Sequence, residues 1–468
     1  MALRLCLFLS IFMLASCSEE FIFNTSNPKL MRTDNFGSTG AGDGQDVGVT
    51  IIENKQNIRS PLEVSFSYGA EFEWNGVQFP APVLANNYRV VYDQKFRPLK
   101  VVPQITGGRA HSFRSIIDTQ GNRYIASYVK NTVTFSGTTI SFLPITQNKG
   151  LFYKEDKSGN LKWYYKIEGT GASGFNQFAL DTQGNAYIVG NYAGTSSLHL
   201  NEDKVIDLDN TYNNFVAKIS PSGDLLWYRY FKITQIRDIE IHDNKILLSG
   251  YFTAQLLIED KVDVTSLGSN DGLVALYDLD GNYLWHKQMG DAGNDMITCG
   301  VLDKTGIYVA GSFSANPVID GQTIKSLTDT GSLLKLDHNG NLIWSRSLGD
   351  KATGTPVQSN CISLYKNHVY WGTSTDGESQ MESAPPMNVV GKNILLFQVE
   401  KKTGKTVFYD SFSGHTASSV FETFVDQFGR LTLGLYWTGT TLEHNGQAVA
   451  KNAGSYDAFV AFYLVPKN

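Results

Sequence analysis

Short runs of apolar residues recur along most of this chain, and Gly, Asn or Asp closes nearly every run. Tyr124-Ile-Ala-Ser127, Tyr187-Ile-Val-Gly190 and Ile246-Leu-Leu-Ser-Gly250 are examples. In a pleated strand successive side chains point to opposite faces, so a short continuous apolar run fits a strand buried on both. β-Branched and aromatic residues fill the positions that half-buried sheets favour. No stretch carries a helical period long enough to compete. The pattern predicts an all-β protein of many short strands joined by tight turns.

The runs also repeat. Asp118-Thr-Gln-Gly-Asn-Arg-Tyr124-Ile-Ala-Ser127 returns as Asp181-Thr-Gln-Gly-Asn-Ala-Tyr187-Ile-Val-Gly190, and looser copies end at Gly250, Gly311, Gly372 and Gly434. From Ser127 through these glycines the steps are 63, 60, 61, 61 and 62 residues. One further step back from Ser127 reaches Glu63-Val-Ser-Phe-Ser-Tyr68, which makes seven units. A second phrase follows each first one. Leu151-Phe-Tyr leads to Gly159-Asn-Leu-Lys-Trp163, Phe215-Val-Ala-Lys218 to Gly223-Asp-Leu-Leu-Trp227, Leu273-Val-Ala to Gly281-Asn-Tyr-Leu-Trp285, and Leu333-Leu-Lys335 to Gly340-Asn-Leu-Ile-Trp344. Phe408 takes the Trp position after Gly404, and the last unit stops soon after Phe459-Val-Ala-Phe462.

Each unit parses as strand, turn, strand, connection, strand, turn, strand, with Gly and Asn supplying the positive φ that tight turns need. An open sheet of that many strands would leave a long free edge, whereas radial closure leaves only short, protected ones. The expected architecture is a seven-bladed β-propeller of four-stranded antiparallel blades over residues 47–468. The Trp series, one per unit in one register, reads as packing between blades. Because the final unit lacks its Gly-x-x-x-Trp strand, an N-terminal segment is expected to complete it, Val47 to Glu53 or else Phe21 to Asn24.

These units resemble the bacterial seven-bladed β-propeller (SBBP) repeat, on Asp457-Ala-Phe-Val-Ala461, Asn214-Phe-Val-Ala-Lys218 and Gly184-Asn-Ala-Tyr-Ile-Val-Gly190. The resemblance covers roughly residues 47–468 and implies the same closed ring. Leu336-Asp-His-Asn-Gly340-Asn-Leu-Ile-Trp344 is also similar to the pyrroloquinoline-quinone-type propeller repeat, but that family's quinone-binding and Ca²⁺-binding residues have no counterpart here.

The N-terminus decides the expected compartment. Arg4 precedes an apolar run from Leu5 to Ala15 that is too short for a membrane span. Leu14-Ala15-Ser16-Cys17 resembles a bacterial lipobox, which implies a signal peptide over residues 1–16 and lipidation of Cys17. Ser18-Glu19-Glu20 lacks the Asp of inner-membrane retention and resembles an acidic surface-export signal, so the outer membrane and the cell surface are expected. Residues 17–46, polar and containing Gly37-Ser-Thr-Gly-Ala-Gly-Asp-Gly44, read as a flexible tether. Beyond Cys6 and Cys17 only Cys299 and Cys361 remain, too few for a disulfide scaffold.

Composition then narrows the function classes. A net charge of -6 with no basic cluster argues against nucleic acid. No two of the eight His are closer than 29 residues, so there is no His-Glu-x-x-His zinc motif. There is no Gly-x-Ser-x-Gly elbow either. Gly404-Lys-Thr406 has a phosphate-loop tail but Val399 stands where the loop's first Gly belongs, so it reads as a hairpin turn. Gly169-Thr-Gly171-Ala-Ser-Gly174 spells a dinucleotide fingerprint, yet a strand follows where a helix is required. Asp207-Leu-Asp209-Asn210 and Asp278-Leu-Asp280-Gly281-Asn282 gather hard oxygens of the kind Ca²⁺ takes, but turn formation is the plainer reading. No cofactor is expected beyond that low-ranking Ca²⁺.

One set of positions stands apart from the repeat. If the strand before each Asp-x-x-Gly turn is innermost, Arg114, Gln177, Asp238, Cys299, Cys361 and Glu422 occupy equivalent places and face a central funnel. They are chemically mixed, as ligand positions would be, although variable residues lining a wet channel would look alike. Cys299 and Cys361 fall on neighbouring blades and are expected to be free thiols. The resulting expectation is a lipid-anchored monomer whose propeller binds a protein or glycan without catalysis. A periplasmic envelope-assembly scaffold, resembling the propeller lipoprotein of the barrel-assembly machinery, is one alternative. A propeller enzyme, either a polysaccharide lyase or a quinone-dependent dehydrogenase, is the other.

Overall fold

The computed structural model describes residues 28–36, 49–54, 62–68, 72–74, 77–79, 86–143, 147–258, 262–314, 317–319, 322–323, 330–350, 360–376, 379–381, 389, 391–451 and 457–466. Cys17, the signal segment and Phe21 to Asn24 lie outside the described residues. Within them every regular element is a strand. The strands pair in consecutive antiparallel meanders. Val49–Asn54, Leu62–Tyr68, Asn86–Tyr92 and Pro98–Ile105 form the first. Arg109–Ile117, Arg123–Lys130, Lys149–Glu155 and Leu161–Gly169 form the next. Ser173–Leu180 opens another that ends at Leu225–Lys232, Gln235–His242 one that ends at Tyr283–Met289, and Met296–Asp303 one that ends at Leu342–Asp350. Asn360–Tyr365, His368–Asp376 and Lys392–Glu400 then meet the 20-residue strand Thr406–Val425. That strand continues without a break into pairing with Arg430–His444, beyond which lies Asp457–Leu464.

The opening strand of each meander contacts the opening strand of the next, and Thr406–Val425 returns to Val49–Asn54. The arrangement is therefore propeller-like and closed. Apolar cores lie between sheets rather than within them. Phe152, Trp163 and Tyr165 of one sheet pack with Phe175, Phe178 and Phe215 of the next, and Ile51, Val64 and Phe66 of the first sheet pack with Val460 and Phe462 of the last.

The closing strand corrects the sequence expectation. Lys29–Phe36 pairs antiparallel with Asp457–Leu464, in register from Lys29↔Leu464 to Phe36↔Ala458. Val49–Asn54 instead opens the first sheet and runs parallel to Arg109–Ile117 through Ile52↔Ser115 and Glu53↔Ile116. Part of the segment assigned to the tether is thus a strand of the last sheet. Only Leu30, Met31 and Phe36 are apolar there, and the first two pack into two different cores. So thin an apolar signal reads as linker until its backbone partner is known.

The recurring Asp-x-x-Gly-Asn phrase closes on itself. Asp118 Oδ1 accepts the backbone N–H groups of Gln120 and Asn122 at 2.9 Å each, and Oδ2 accepts the Asn122 side-chain amide at 2.8 Å. Asp156, Asp181, Asp278 and Asp337 hold their turns in the same way. Asp278, one of the calcium candidates, spends both oxygens on this turn, and Asp209 accepts the Thr211 N–H at 2.8 Å. The turn Gly has a second task. Gly223 sits at φ 97° and a Cβ there would come 2.7 Å from the Trp163 ring of the preceding sheet. Gly159, at φ 86°, has open space at its Cβ position.

Two outcomes follow from these contacts. Gly159→Ala meets only backbone strain and should cost about 1 kcal/mol. Gly223→Ala adds a clash with Trp163 and should cost roughly 1–3 kcal/mol more; equal urea midpoints for the two variants would refute the inter-sheet role of this glycine. Truncation of residues 1–36 should lower the melting temperature and leave Asp457–Leu464 as an open edge that self-associates, as light scattering would show.

Candidate functional site

The opening strands carry a shared irregularity. Pairing slips by one residue between Ser112 and Arg114, Phe175 and Gln177, Ile236 and Asp238, Ile297 and Cys299, and Val420 and Glu422. Each slip is a β-bulge, which adds one residue and re-aims the side chains around it. The repeated glycines make room for it: a Cβ on Gly250 would come 2.1 Å from the Gln235 carbonyl oxygen, and one on Gly311 2.2 Å from that of Met296.

The bulges turn Arg114, Gln177, Asp238, Cys299 and Glu422 to one place, and Cys361 reaches it from a strand that pairs without a slip. Arg114, Gln177, Asp238, Cys299, Cys361 and Glu422 all line a single central cavity of about 650 Å³. Thr50 enters from the first sheet and Tyr436 from the last. The extra residues of the bulges, Phe113, Asn176, Arg237, Thr298 and Phe421, line the same cavity. Sequence reasoning missed this second ring. Its signal was present, one position before each marked residue except Cys361, but a bulge has no composition of its own.

Charges inside the cavity are interlinked. Arg114 stands 3.9 Å from Asp238 and 3.7 Å from Glu240. Asp238 is 8 % exposed, and burial pushes its carboxyl above the usual carboxylate range in spite of Arg114. Its oxygens accept the N–H of Ile239 at 3.0 Å and of Gly300 at 3.1 Å, tying two sheets together. Glu422 accepts the Ile51 N–H at 2.5 Å, a bond between the last and first sheets. Both thiols are free, as expected. Cys299 Sγ accepts the Ile362 N–H at 3.3 Å, and Cys361 donates to the Phe421 carbonyl. Burial pushes both well above an ordinary thiol, Cys299 further by Asp238 and Cys361 by Glu422 and Asp238.

Aromatic rings edge the cavity on two sides. His111 stacks on Tyr128 with centroids 5.2 Å apart and meets Phe113 edge-on at 5.0 Å. Burial lowers its pKa to about 4, which leaves the ring neutral. Phe421, 41 % exposed, lies 5.1 Å from Tyr436.

The Trp residues act elsewhere. Trp163, Trp227, Trp285 and Trp344 donate Nε1–H to the carbonyls of Pro221, Leu279, His338 and Lys401, each in the next sheet. Packing between sheets is their role, as their register suggested. Gly404, at φ 68°, is a turn residue, and Gly169–Gly174 leads into the strand Ser173–Leu180. Among the described residues no group of three or more His, Cys, Asp or Glu is placed to hold a metal ion, and no helix is long and apolar enough to cross a membrane.

No known family matches this sequence and no curated protein does. Solved structures do. An ulvan lyase of polysaccharide lyase family PL25 matches at 10% identity over 93% of this chain and 96% of its own, with a TM-score of 0.45. The Dos1 propeller matches at 9% identity over 94% and 96%, with a TM-score of 0.43. A protein of unknown function from Dyadobacter fermentans matches at 9% identity over 94% and 99%, with a TM-score of 0.42. Likeness at this level says nothing of the chain's activity. The strand pairing itself defines the class, an all-β, propeller-like protein with a lined central cavity.

The thiols offer a direct probe of the cavity's electrostatics. Asp238→Asn removes a negative neighbour of both, so their pKa values should fall. Alkylation at pH 8 should then quicken, about tenfold for each unit of fall. Unchanged rates, in a variant with an unchanged unfolding midpoint, would separate Asp238 from the thiols.

Proposed function

We propose that this chain is a lipid-anchored bacterial envelope protein whose seven-bladed propeller, four strands to a blade, is a binding module of the SBBP-repeat type. Residues 1–16 are its signal peptide and Cys17 carries the lipid. A shorter tether than composition suggested, ending before Lys29–Phe36, holds the ring at the outer membrane, exposed to the outside. The protein acts as a monomer, without a cofactor, on a protein or glycan ligand. One observation carries the binding role. The residues that differ from unit to unit converge on the central cavity, while the repeated Asp, Gly and Trp are occupied by turns and by packing between sheets. Varied chemistry on a rigid, repeated frame is what recognition requires.

One observation favours the enzyme alternative, a polysaccharide lyase or a quinone-dependent dehydrogenase. Asp238 is a buried carboxyl pushed above its usual range, in the same cavity as Glu240 and Glu422, and such groups gather at catalytic centres. The bonding weighs against it. Asp238 is committed to two backbone N–H groups, the thiols are held protonated, and His111 is a neutral ring packed on Tyr128. The Asp238 carboxylate beside Cys299 raises the thiol's pKa instead of activating it as a nucleophile.

Protease treatment of intact cells expressing a tagged chain, beside Cys17→Ala, tests the placement. The wild-type body should be shaved from intact cells and the variant released from the membrane fraction. Protection until the outer membrane is opened would end the surface reading and favour a periplasmic scaffold. Purified protein should bind isolated envelope polymers, and Glu422→Gln with Arg114→Ala should abolish that binding; turnover of any polymer by the wild type would favour the enzyme.

A further inference from the structure

We propose that the central cavity is a saccharide site that receives one end of a neutral glycan; this rests on the reading of the cavity as a binding site. At about 650 Å³ it falls within the range of small-ligand sites. Its rim is not uniform. The opening strand Val49–Asn54 sits between Arg109–Ile117 and Thr406–Val425 and contributes the small Thr50. On the two strands that flank it, the bulge residues are Phe113 and Phe421, whereas the other bulges present Asn176, Arg237 and Thr298. Two aromatic rings thus border Thr50. Phe421 keeps 41 % of its surface exposed there. Aromatic faces of this kind suit the C–H faces of a pyranose ring.

The charges that line the cavity are nearly balanced. Arg114 and Arg237 oppose Asp238, Glu240 and Glu422, so neither a polyanion nor a strong cation finds a matching field. An apolar peptide anchor pushed past the aromatic rim would strip water from these charges without replacing its hydrogen bonds. Neighbouring sugar hydroxyls donate and accept at once and can serve carboxylates and guanidinium groups together. Gln177 adds a buried side-chain oxygen with no hydrogen-bond partner among the described residues, an acceptor that a ligand hydroxyl would satisfy.

The test places the full chain on immobilised neutral oligosaccharides of hexose, deoxyhexose and N-acetylhexosamine, and in parallel on a random-sequence peptide library. Labelling of Cys361 by N-ethylmaleimide, read by peptide mass, reports occupancy of the cavity. The expected result is binding to a subset of the oligosaccharides, with Cys361 labelling slowed by the same sugars. Phe421→Ala, whose side chain is largely exposed and whose loss should leave the fold intact, should weaken binding at least about fivefold. Leu226→Ala, on an outer strand away from the cavity, should not change it. Peptides that protect Cys361 where no sugar does would overturn the saccharide assignment and leave the cavity a binding site. Sugar binding indifferent to Phe421→Ala and without Cys361 protection would place the glycan elsewhere and overturn it too. If neither class binds, the saccharide site and the binding role fall together.

Discussion

The ring depends on a small lock between neighbouring sheets, built on one backbone carbonyl. The Pro221 carbonyl, at a turn of one sheet, accepts Trp163 Nε1–H at 3.2 Å and Lys154 Nζ at 2.9 Å from the sheet before. Leu279 accepts Trp227 and Lys218 in the same way, and Lys401 accepts Trp344 and Lys335. Each Lys lies over a Tyr ring of its own sheet, Lys154 on Tyr124 at 4.8 Å, Lys218 on Tyr187 at 5.1 Å and Lys335 on Tyr308 at 5.3 Å. Burying ammonium stems is costly unless each finds partners; the carbonyl and the ring supply them. Where Tyr becomes Leu247, its cross-strand partner becomes Leu276, and Trp285 bonds to His338 without a lysine. The two members change together, as a paired cation and ring should.

Sheets outside this series are joined by other means. Arg123 reaches Glu155 at 2.6 Å in its own sheet and Glu63 at 2.8 Å in the first, and Arg89 also holds Glu63 at 2.8 Å. Removing one member of such a buried network would strand a charge, so these four residues act as a unit. On the far side the single strand Thr406–Val425 serves two sheets, and Asp410 on it binds His444 at 2.8 Å and the Tyr463 hydroxyl at 2.9 Å. The first and last units therefore lack the Trp phrase without losing their junctions.

This explains what was legible in the sequence. The all-β class, the turn phrases and the Trp register were readable because each rests on residues that recur for a local reason. The six cavity positions were readable by counting within that register. The closing strand was not, because Lys29–Phe36 depends on pairing with a strand more than 400 residues away and carries only three apolar residues. The bulges were not, because they are a property of how Gly250 and Gly311 let a neighbouring backbone approach, and glycine at those places also reads as a simple strand end. The charge network was missed for a similar reason: Glu63 and Arg123 stand exactly one unit apart in sequence but nothing in composition marks them as partners.

The division of labour among positions bears on function. Residues that close turns or lock sheets face strict geometric demands, since a side chain in place of Gly223 or Gly281 would strike a Trp ring. Residues on the opening strands face few such demands once the bulge is formed, because their side chains enter a cavity rather than a packed core. Even so, four of them carry structural duties: Asp238 and Glu422 accept backbone N–H groups from neighbouring sheets, Cys299 accepts that of Ile362, and Cys361 donates to the Phe421 carbonyl. The cavity wall is therefore stiffened by the polar groups that a ligand would meet. Such preorganisation lowers the ordering cost of binding, and it makes Gln177 and the two rim phenylalanines the groups whose chemistry is left for recognition.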